Sequence, residues 1–387
     1  MPAVLDSIAG AGWIRGWLPL LNRFGHSLPP LLLARRIKVA PRKKWILLGT
    51  TGLMSALFLV LSLLFIGGGV LGSWMPIAFL AIYTAFFMCI GISQVAFSTL
   101  QGKLVAASVR GRLLLTANVT GAITAVTCAF ILLPGWLQQD AARFDLIFGF
   151  AGVLFALSAA SVLLLVESAD DYQERPVRLS RNLLGVWLAW KKDKNFQRLT
   201  AVAAMFGSSM MLFPHYQNLG LRGMQLDLSD LVLWVIVQNI GTGLFSIPAG
   251  QIADRSGNRL VLLIGMVGIA TAPVLAIGLQ YFPRWGGLLF PIVFVFVGLT
   301  PVILRTLQNF TLELCSAEDH PRYLSTLAVC SSLPMLLSPI VGLLIDLVGF
   351  EVVFLSMAAV VLVAWLVCFG LVEPREHVTV GYLPPVN

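Results

Sequence analysis

The ten residues from Gly250 to Arg259 combine side chains that suit a turn between two helices at a membrane surface. They read Gly-Gln-Ile-Ala-Asp-Arg-Ser-Gly-Asn-Arg and lie between two long apolar stretches. Gly250 and Gly257 permit close helix approach and a tight turn. Asp254 suits the N-terminus of a helix, and Arg255 and Arg259 suit the inner face of a membrane. The spacing predicts a tight turn between two membrane helices at the inner face, formed by these five motif residues.

Ionisable side chains inside apolar stretches are costly in a bilayer and mark candidate solute contacts. Arg23 lies near the centre of the stretch 12–33, and His26 follows on the same helical face. An arginine in a central cavity could bind a carboxylate or phosphate through two parallel hydrogen bonds. A structural role for Arg23, or a shifted helix register, is an equally good interpretation. Neutral polar residues in other stretches either line the solute pathway or hydrogen-bond between helices: Gln94, Asn118, His215, Gln238 and Asn239.

The groups that the sequence lacks narrow the chemistry further. No apolar stretch carries an acid near its centre, so the pathway favours an anionic solute or exchange of such solutes. A coupling proton would need His26, His215 or an acid in a preceding helix. The sequence has no phosphate-binding Gly-x-x-x-x-Gly-Lys loop, no metal-ligand spacing and no nucleophile arrangement. We therefore expect no cofactor, no bound metal and no enzymatic activity.

The elements that must position these residues are membrane helices. Of the 387 residues, 58% are hydrophobic and 11% are charged, and the mean hydropathy is +0.88. A helix crosses about 30 Å of hydrocarbon with about 20 apolar residues. The composition predicts an all-α polytopic membrane protein with about 11 transmembrane helices. The predicted spans are 12–33, 45–66, 74–96, 113–134, 145–166, 199–217, 229–252, 259–281, 286–306, 323–346 and 349–371.

Basic residues fix the predicted orientation. Of the 26 Lys and Arg residues, 20 fall on alternate connections between the predicted spans. That asymmetry follows the positive-inside rule, so it assigns those connections and the C-terminus to the cytoplasm. The net charge of +8 is explained in this way and does not indicate nucleic acid binding. We expect a multi-pass protein of the inner or plasma membrane whose partners are the lipid bilayer and a small solute.

The chain repeats itself at an offset of about 210 residues. Ser98-Thr-Leu-Gln101 matches Arg305-Thr-Leu-Gln308, and four span starts agree at nearly the same offset. The repeat predicts a first bundle of about five helices over 1–166, a polar linker with an interfacial helix over 167–198, and a six-helix bundle over 199–387. The first helix of the first bundle has no counterpart in the sequence. Either translation starts at Met1, or the assigned start is internal to a longer gene.

The motif between Gly250 and Arg259 resembles the signature of the major facilitator superfamily, whose pattern is Gly-x-x-x-Asp-Arg-x-Gly-x-Arg. The resemblance implies two pseudo-symmetric helical bundles and secondary transport by alternating access, with a solute site between the bundles. It also implies that Asp254 caps the following helix and latches the inner gate. We expect the protein to act as a monomer.

The first-half counterpart of the motif departs from the pattern. Residues 35–44 read Arg-Arg-Ile-Lys-Val-Ala-Pro-Arg-Lys-Lys, with neither an acid nor a glycine. The sequence therefore predicts that a carboxylate latch forms only in the second half. This degenerate loop keeps an alternative function open, in which the chain is a transporter-like receptor, scaffold or assembly factor without transport activity.

Overall fold

The computed structural model describes residues 1–9, 11–66, 74–105, 107–137, 142–170, 190–191, 193–282, 284–315 and 320–374. These residues form helices and connections, and no strand occurs among them. The fold is therefore all-α, as the composition predicts. The predicted interfacial helix of the linker, near 183–190, lies almost entirely outside the described residues.

Within the described residues six helices precede the linker. Their bounds are α1 Pro2–Ile8, α2 Gly12–Val39, α3 Lys44–Phe65, α4 Met75–Leu104, α5 Ala107–Leu137 and α6 Phe144–Leu163. Helices α2 to α6 overlap the five predicted spans, and α1 lies where no span was predicted. Helix α2 contains Pro19, Pro29 and Pro30. Prolines are tolerated in membrane helices because neighbouring groups satisfy the freed backbone carbonyls.

Nine helical segments follow the linker, several of them short because they are interrupted. Their bounds are α7 Lys194–Ser209, α8 Phe213–Asn218, α9 Asp230–Ser256, α10 Asn258–Gln280, α11 Gly286–Leu289, α12 Pro291–Val297, α13 Thr300–Glu313, α14 His320–Ser332 and α15 Ser338–Cys368. A 3-10 turn, Met210–Leu212, and a π-helical turn, Leu219–Gly223, flank α8. The predicted span 199–217 is thus a helix interrupted by the 3-10 turn, and the π-helical turn follows it.

Seven segments of the described chain are long and apolar enough to cross a membrane, by length and composition. They are Lys44–Phe65, Met75–Gln101, Phe144–Leu163, Asp230–Ser256, Asn258–Gln280, Gly286–Glu313 and Tyr323–Cys368. Large apolar side chains on these segments face outward, as Ile77 and Leu157 do at 73% and 62% exposure. Exposed apolar surface of this kind fits a lipid environment.

Contacts divide the chain into two compact units. Unit 1 contains Met1–Gly10 and Trp17–Arg175, and unit 2 contains Ala11–Gly16 and Pro176–Asn387. Helix α2 therefore contributes its first turn to unit 2 and the rest of its length to unit 1. The sequence predicted bundles at 1–166 and 199–387 and did not anticipate this exchange.

Unit 1 is held together mainly by the contact between α3 and α6. The Ser55 hydroxyl donates to the Gly152 carbonyl at 2.8 Å, and a Cβ added at Gly152 would lie 2.9 Å from Leu59. Small residues of this kind let membrane helices approach closely. Phe58 packs against both Phe86 and Phe148, with ring centroids 4.7 and 5.7 Å apart, so aromatic packing extends the contact to α4.

Unit 2 has a second close contact, between α9 and α12. A Cβ added at Gly241 would lie 2.4 Å from the Val295 carbonyl oxygen, so the two backbones touch there. Trp234, which is 1% exposed, stacks on Phe294 with ring centroids 5.1 Å apart. These contacts fix α9, and therefore the position of the motif at its end.

Helix α15 spans 31 residues but includes one residue with non-helical dihedral angles, Gly349, at φ 85° and ψ 172°. Two contacts show that the chain reverses there. Tyr323, before the glycine, packs on Phe196 with ring centroids 4.4 Å apart, and Val372, after it, donates its backbone N–H to Asn195 at 3.0 Å, so both segments reach the start of α7. The predicted spans 323–346 and 349–371 are therefore joined by a turn at a single glycine.

Candidate functional site

The predicted gating motif forms the junction between α9 and α10. Helix α9 ends at Ser256 and α10 begins at Asn258, so Gly257 alone connects them. Its φ is 82°, a left-handed conformation that side chains other than glycine rarely adopt. A Cβ at this position would also lie 2.3 Å from the carboxyl carbon of Glu373. The motif needs a glycine here for both reasons.

A carboxylate from the far end of unit 2 caps the start of α10. Glu373 accepts a hydrogen bond from the Arg259 backbone N–H at 2.8 Å. The Arg259 guanidinium reaches in return to the end of α15, where it donates to the carbonyls of Phe369 at 2.8 Å and Cys368 at 3.4 Å. An anion at a helix N-terminus and a cation at a helix C-terminus are both favourable for the helix dipole. The exchange ties α10 to the end of α15.

A second carboxylate supports the same junction. The Asn258 side-chain amide donates to Glu313 at the end of α13, at 3.0 Å. Asn258 is 1% exposed. Three helices of unit 2 therefore meet at the motif.

The other motif residues lie at the surface. Gly250, Asp254 and Arg255 are exposed, and a Cβ added at Gly250 would meet no described atom within 4 Å. Asp254 makes no hydrogen bond or ion pair within the described chain. It lies in the last turn of α9, so its side chain leaves the helix before α10 begins. Glu373 occupies the capping position that the resemblance implies for Asp254.

Unit 1 contains a matching cap although its loop has no acid. Glu167, which follows α6, accepts from the backbone N–H groups of Lys43 at 3.0 Å and Lys44 at 2.8 Å. These are the first N–H groups of α3. The sequence predicted no carboxylate latch here because the loop has no acid; the acid that caps the helix comes instead from 124 residues away.

Lysines neutralise this cap. Lys103, at the end of α4, lies 3.4 Å from a Glu167 oxygen and 2.7 Å from an Asp170 oxygen. Lys43 pairs with Asp170, whose backbone N–H donates to the Pro41 carbonyl at 2.8 Å. The first residues of the linker are thereby fixed to α3 and α4.

The neighbouring charges and hydrogen bonds shift the pKa values of Glu167, Asp170 and Lys103. Burial would raise the pKa of Glu167, but hydrogen bonds from the Lys44 and Lys43 N–H groups and from Lys103 lower it overall. Hydrogen bonds from Lys103 and Lys43 lower the pKa of Asp170. The same pairing with Asp170 raises the pKa of Lys103. All three groups are charged near neutral pH.

The predicted solute contacts Arg23 and His26 lie in the middle of α2 within unit 1. Both are half-buried, and Arg23 is close enough for its charge to act on His26. The His26 ring lies 5.4 Å from Phe87 of α4. One turn before, Asn22 lies close to Tyr83 of α4. The structure thus adds two polar groups to the predicted pair, and together they form a basic patch.

The remaining predicted pathway residues are more scattered. Gln94 and Asn239 are exposed, and Asn239 donates to the Val235 carbonyl within its own helix at 2.8 Å. Gln238 is half-buried beside the α9–α12 contact. The side chain of Asn118 lies outside the described part of the chain. His215 is fully buried, and neither of its ring nitrogens has a hydrogen-bond partner within the described residues.

The sequence did not predict Arg15 and Asp346 as partners. Arg15 is 2% exposed, more buried than Arg23, and its Nη2 lies 3.9 Å from an Asp346 oxygen. Asp346 also accepts from the Gly12 backbone N–H at 2.6 Å. Sequence spacing gives no signal for this pair, because the partners are more than 300 residues apart. For Glu167 and Glu373 a signal did exist, since Leu-Val-Glu occurs at both 165–167 and 371–373.

Comparison with known proteins identifies the class. The structure resembles a mutant of the nucleoside transporter NupG (TM-score 0.74, 14% identity, 94% of this chain and 92% of that chain). It also resembles a D-xylose-proton symporter (0.68, 12%, 94% and 89%). A third similar structure is an inward-facing, unoccupied bacterial homologue of the lysosomal transporter Spinster (0.63, 13%, 99% and 94%). The fold is that of a multi-pass membrane transport protein.

Sequence comparison names the family. The model of the Major Facilitator Superfamily matches residues 224–384, which include the motif and the Glu373 cap. No curated protein matches the chain in sequence. The second part of the chain therefore matches the Major Facilitator Superfamily, whose transporters move small solutes across a bilayer.

Proposed function

We propose that this protein is a secondary transporter that moves a small anionic solute by alternating access. It resides in the inner or plasma membrane with its C-terminus in the cytoplasm. The observation that carries the proposal is the basic patch in the middle of α2, in a chain whose family and fold support membrane transport. Arg23 supplies the charge, and His26, Asn22 and Tyr83 supply hydrogen-bonding groups around it.

The patch suits an anion for a physical reason. An arginine held at the depth of the bilayer is costly to bury, and an anionic solute would offset part of that cost. Its planar guanidinium can hold a carboxylate or phosphate through two hydrogen bonds. The half-buried His26 ring and Phe87 provide apolar surface beside the charge. This arrangement favours an anion with an attached apolar or ring group over an inorganic ion.

The gating part of the proposal is supported by the two carboxylate caps. Each unit places a glutamate at the start of the helix that follows its motif loop, and each links three helices of its own unit. Rigid attachment at these junctions would let each unit move as a body, as alternating access requires. Asp254 and Arg255 remain exposed at the junction, so they are available to form a state-dependent contact.

Counterflow in proteoliposomes tests the transport function. Proteoliposomes that contain the purified full-length protein are loaded with one solute at a time. The panel comprises mono- and dicarboxylates and phosphate esters, with nucleosides and D-xylose as uncharged comparisons. We expect counterflow of at least one anion. Arg23→Gln should lower its kcat/KM about 10- to 100-fold, which corresponds to the loss of one hydrogen-bonded charge, and Arg23→Lys should fall between.

The matched control is Arg143→Gln. Arg143 is exposed and pairs with Asp145 at 2.8 Å, so its loss removes an arginine ion pair away from the patch. Its kcat/KM should stay within about twofold of wild type. Counterflow of a neutral solute that is unaffected by Arg23→Gln would contradict the anionic assignment while leaving transport intact.

A transporter-like receptor or scaffold is the alternative function. The observation in its favour is that the exposed motif acid Asp254 makes no hydrogen bond or ion pair within the described chain. Absence of counterflow for the whole panel, from folded protein, would favour it. Asp254→Asn distinguishes the transporter from the scaffold further. A transporter should lose most of its uptake rate, whereas a scaffold shows no uptake in either variant.

A further inference from the structure

A short polar face lies on the second half of the span Gly286–Glu313 in unit 2. Near the start of this span exposed side chains are apolar, as Leu288 and Ile292 are at 72% and 43% exposure. Near its end, on α13, the exposed side chains include Arg305, Gln308 and Asn309. Their spacing of i, i+3 and i+4 puts them on one side of the helix, which we call the α13 polar face.

The opposite side of α13 is committed to the interior of unit 2. Its buried residues include Val302, Ile303, Thr306, Leu307 and Phe310. A Cβ added at Gly265 of α10 would collide with the Ile303 side chain, so α13 packs closely on α10. Burial of this apolar side leaves the α13 polar face outside the packed interior.

The depth of Arg305 argues against contact with lipid. Glu313, the last residue of α13, accepts from Asn258 at the motif junction, so it marks that end of the span. Arg305 lies eight residues earlier, which is about 12 Å along the helix. Side chains on a helix lean towards its N-terminus, and for α13 this direction leads away from the motif end. Lipid contact would be costly for an arginine placed in this way.

The structure gives the α13 polar face no partner among the described residues. The side chains of Arg305, Gln308 and Asn309 make no hydrogen bond or ion pair there. The repeat counterpart of Arg305 is Ser98 on α4, which is also exposed. A neutral residue at the equivalent position indicates that helix packing does not require the charge. An exposed cation and two amides within a span therefore call for water or a ligand.

We propose that Arg305, Gln308 and Asn309 form a water-facing surface that binds a hydroxycarboxylate. A guanidinium holds a carboxylate through two hydrogen bonds. A side-chain amide both donates and accepts, so the amides one turn away match a hydroxyl group, which does the same. This surface adds a chemical class to the proposed anionic solute, and its role in transport rests on the proposed function.

Cysteine labelling tests whether water reaches the surface, without any solute. Gln308→Cys protein in lipid nanodiscs is treated with a membrane-impermeant methanethiosulfonate, and labelling is measured above that of wild type. Ile292→Cys is the matched control, because it is exposed on the same span and lies six residues from one end, against five from the other end for Gln308. Gln308→Cys should label at least about tenfold faster, because a thiol in hydrocarbon does not ionise. Equal rates would overturn the proposal.

Two acids that differ by one hydroxyl group test the solute class. L-malate and succinate are titrated into protein in phosphatidylcholine nanodiscs, and calorimetry gives each Kd. Wild type should bind malate more tightly than succinate. Arg305→Ser, which introduces the residue of the repeat counterpart, should raise the Kd of both acids at least about tenfold. Gln308→Leu should raise the Kd of malate and leave that of succinate unchanged.

Arg143→Gln is the control for loss of an arginine and should leave both Kd values unchanged, since Arg143 pairs with Asp145 in unit 1. The same malate Kd in Arg305→Ser and wild type would overturn the surface, and so would failure of wild type to bind either acid. A lipid headgroup is the other source of an anion. Labelling of Gln308→Cys that is slowed by phosphatidylglycerol but not by malate would overturn the assignment to a solute.

Counterflow separates this surface from the proposed function. We expect Arg305→Ser to lower malate counterflow in parallel with malate binding. Anion counterflow that falls in Arg23→Gln but not in Arg305→Ser would overturn the role of the surface in transport and support the proposed function. Malate binding without any counterflow would contradict the proposed function and leave the surface established by labelling and calorimetry.

Discussion

The two motif junctions reach the same cap by different routes. In unit 2 one glycine joins α9 to α10, at φ 82°, and Glu373 caps the new helix. In unit 1 four residues separate α2 from α3, and Glu167 caps α3. The residue before α3 has right-handed helical angles, φ −71° and ψ −22°. A longer connection removes the need for a left-handed residue. The glycine is therefore a property of the short turn, while the carboxylate is common to both units.

The surroundings of the two carboxylates also differ. In unit 1 Lys103 and Lys43 surround Glu167 and Asp170, whereas in unit 2 Asn258 links the junction to a further acid, Glu313. Unit 1 depends on charge pairing, so pH and salt should affect it. The described contacts of unit 2 at this junction include helix-end hydrogen bonds and a glycine turn. This contrast can be tested by changes that act on one junction and not on the other.

The largest effect is expected at the glycine. Gly257→Ala should lower the free energy of unfolding by about 3 kcal/mol, from left-handed strain and displacement of the Glu373 carboxylate. The measurement is unfolding of the purified protein in mixed micelles. Gly250→Ala is the control: its Cβ meets no described atom within 4 Å and it lies inside a helix, so it should be neutral or stabilising by up to about 1 kcal/mol. Equal effects would contradict the turn argument.

Removal of either cap comes next. Glu167→Ala and Glu373→Ala should each cost about 2 kcal/mol, because each leaves helix N–H groups without a charged acceptor. Glutamine at either position keeps one acceptor oxygen and should cost about half as much. If one substitution lowered the free energy of unfolding strongly and the other did not, the two junctions would not be equivalent.

Acid should weaken the unit 1 junction in particular. The folded pKa values of Glu167 and Asp170 lie below their ordinary 4.5 and 3.8. Their stabilisation is therefore complete above the ordinary values and is lost as pH falls through the folded ones. The difference in melting temperature between wild type and Glu167→Gln should be constant from about pH 7 to pH 5 and shrink below about pH 4.

Stabilisation by Lys103 depends on pH in the opposite direction, because it is lost at alkaline pH. Because Lys103 has a raised pKa, its contribution is present below its ordinary 10.5 and disappears as pH rises through the folded value. Lys103→Met should thus show a stability deficit that is flat at neutral pH. A deficit that grows with alkalinity would contradict the pairing.

The smallest effect on stability is expected at Asp254. Asp254→Asn alters an exposed side chain, so unfolding should change by less than about 0.5 kcal/mol. Uptake should nevertheless fall far more than in Arg42→Gln, an exposed loop residue of unit 1. Unchanged uptake in both variants would remove the gating role of the motif acid.

Much of the architecture could be predicted because it depends on local patterns. Apolar length gave the helices, and the glycine at 257 gave the turn between α9 and α10. The capping acids could not be assigned in the same way, since Glu373 is 114 residues from Arg259. Asp254 seemed the natural cap because it is near in sequence, but a side chain in the last turn of one helix does not reach the start of the next.

Buried charges show the same limit. The sequence predicted Arg23 as a solute contact because it lies at the centre of its apolar stretch, whereas Arg15 lies near the end of the same stretch. Depth along one helix says nothing about what covers a residue, and Arg15 is 2% exposed although it lies near the end of its stretch. The partner Asp346 could be found only once the fold brought distant segments together.

The reversal at Gly349 has a practical consequence for mapping this protein. Two antiparallel spans joined by one residue leave no extramembrane loop between them, so that end offers no site for a protease or an antibody. An epitope inserted there would force the spans apart rather than extend a loop. Topology mapping by insertion should therefore fail at Gly349 and succeed at longer connections.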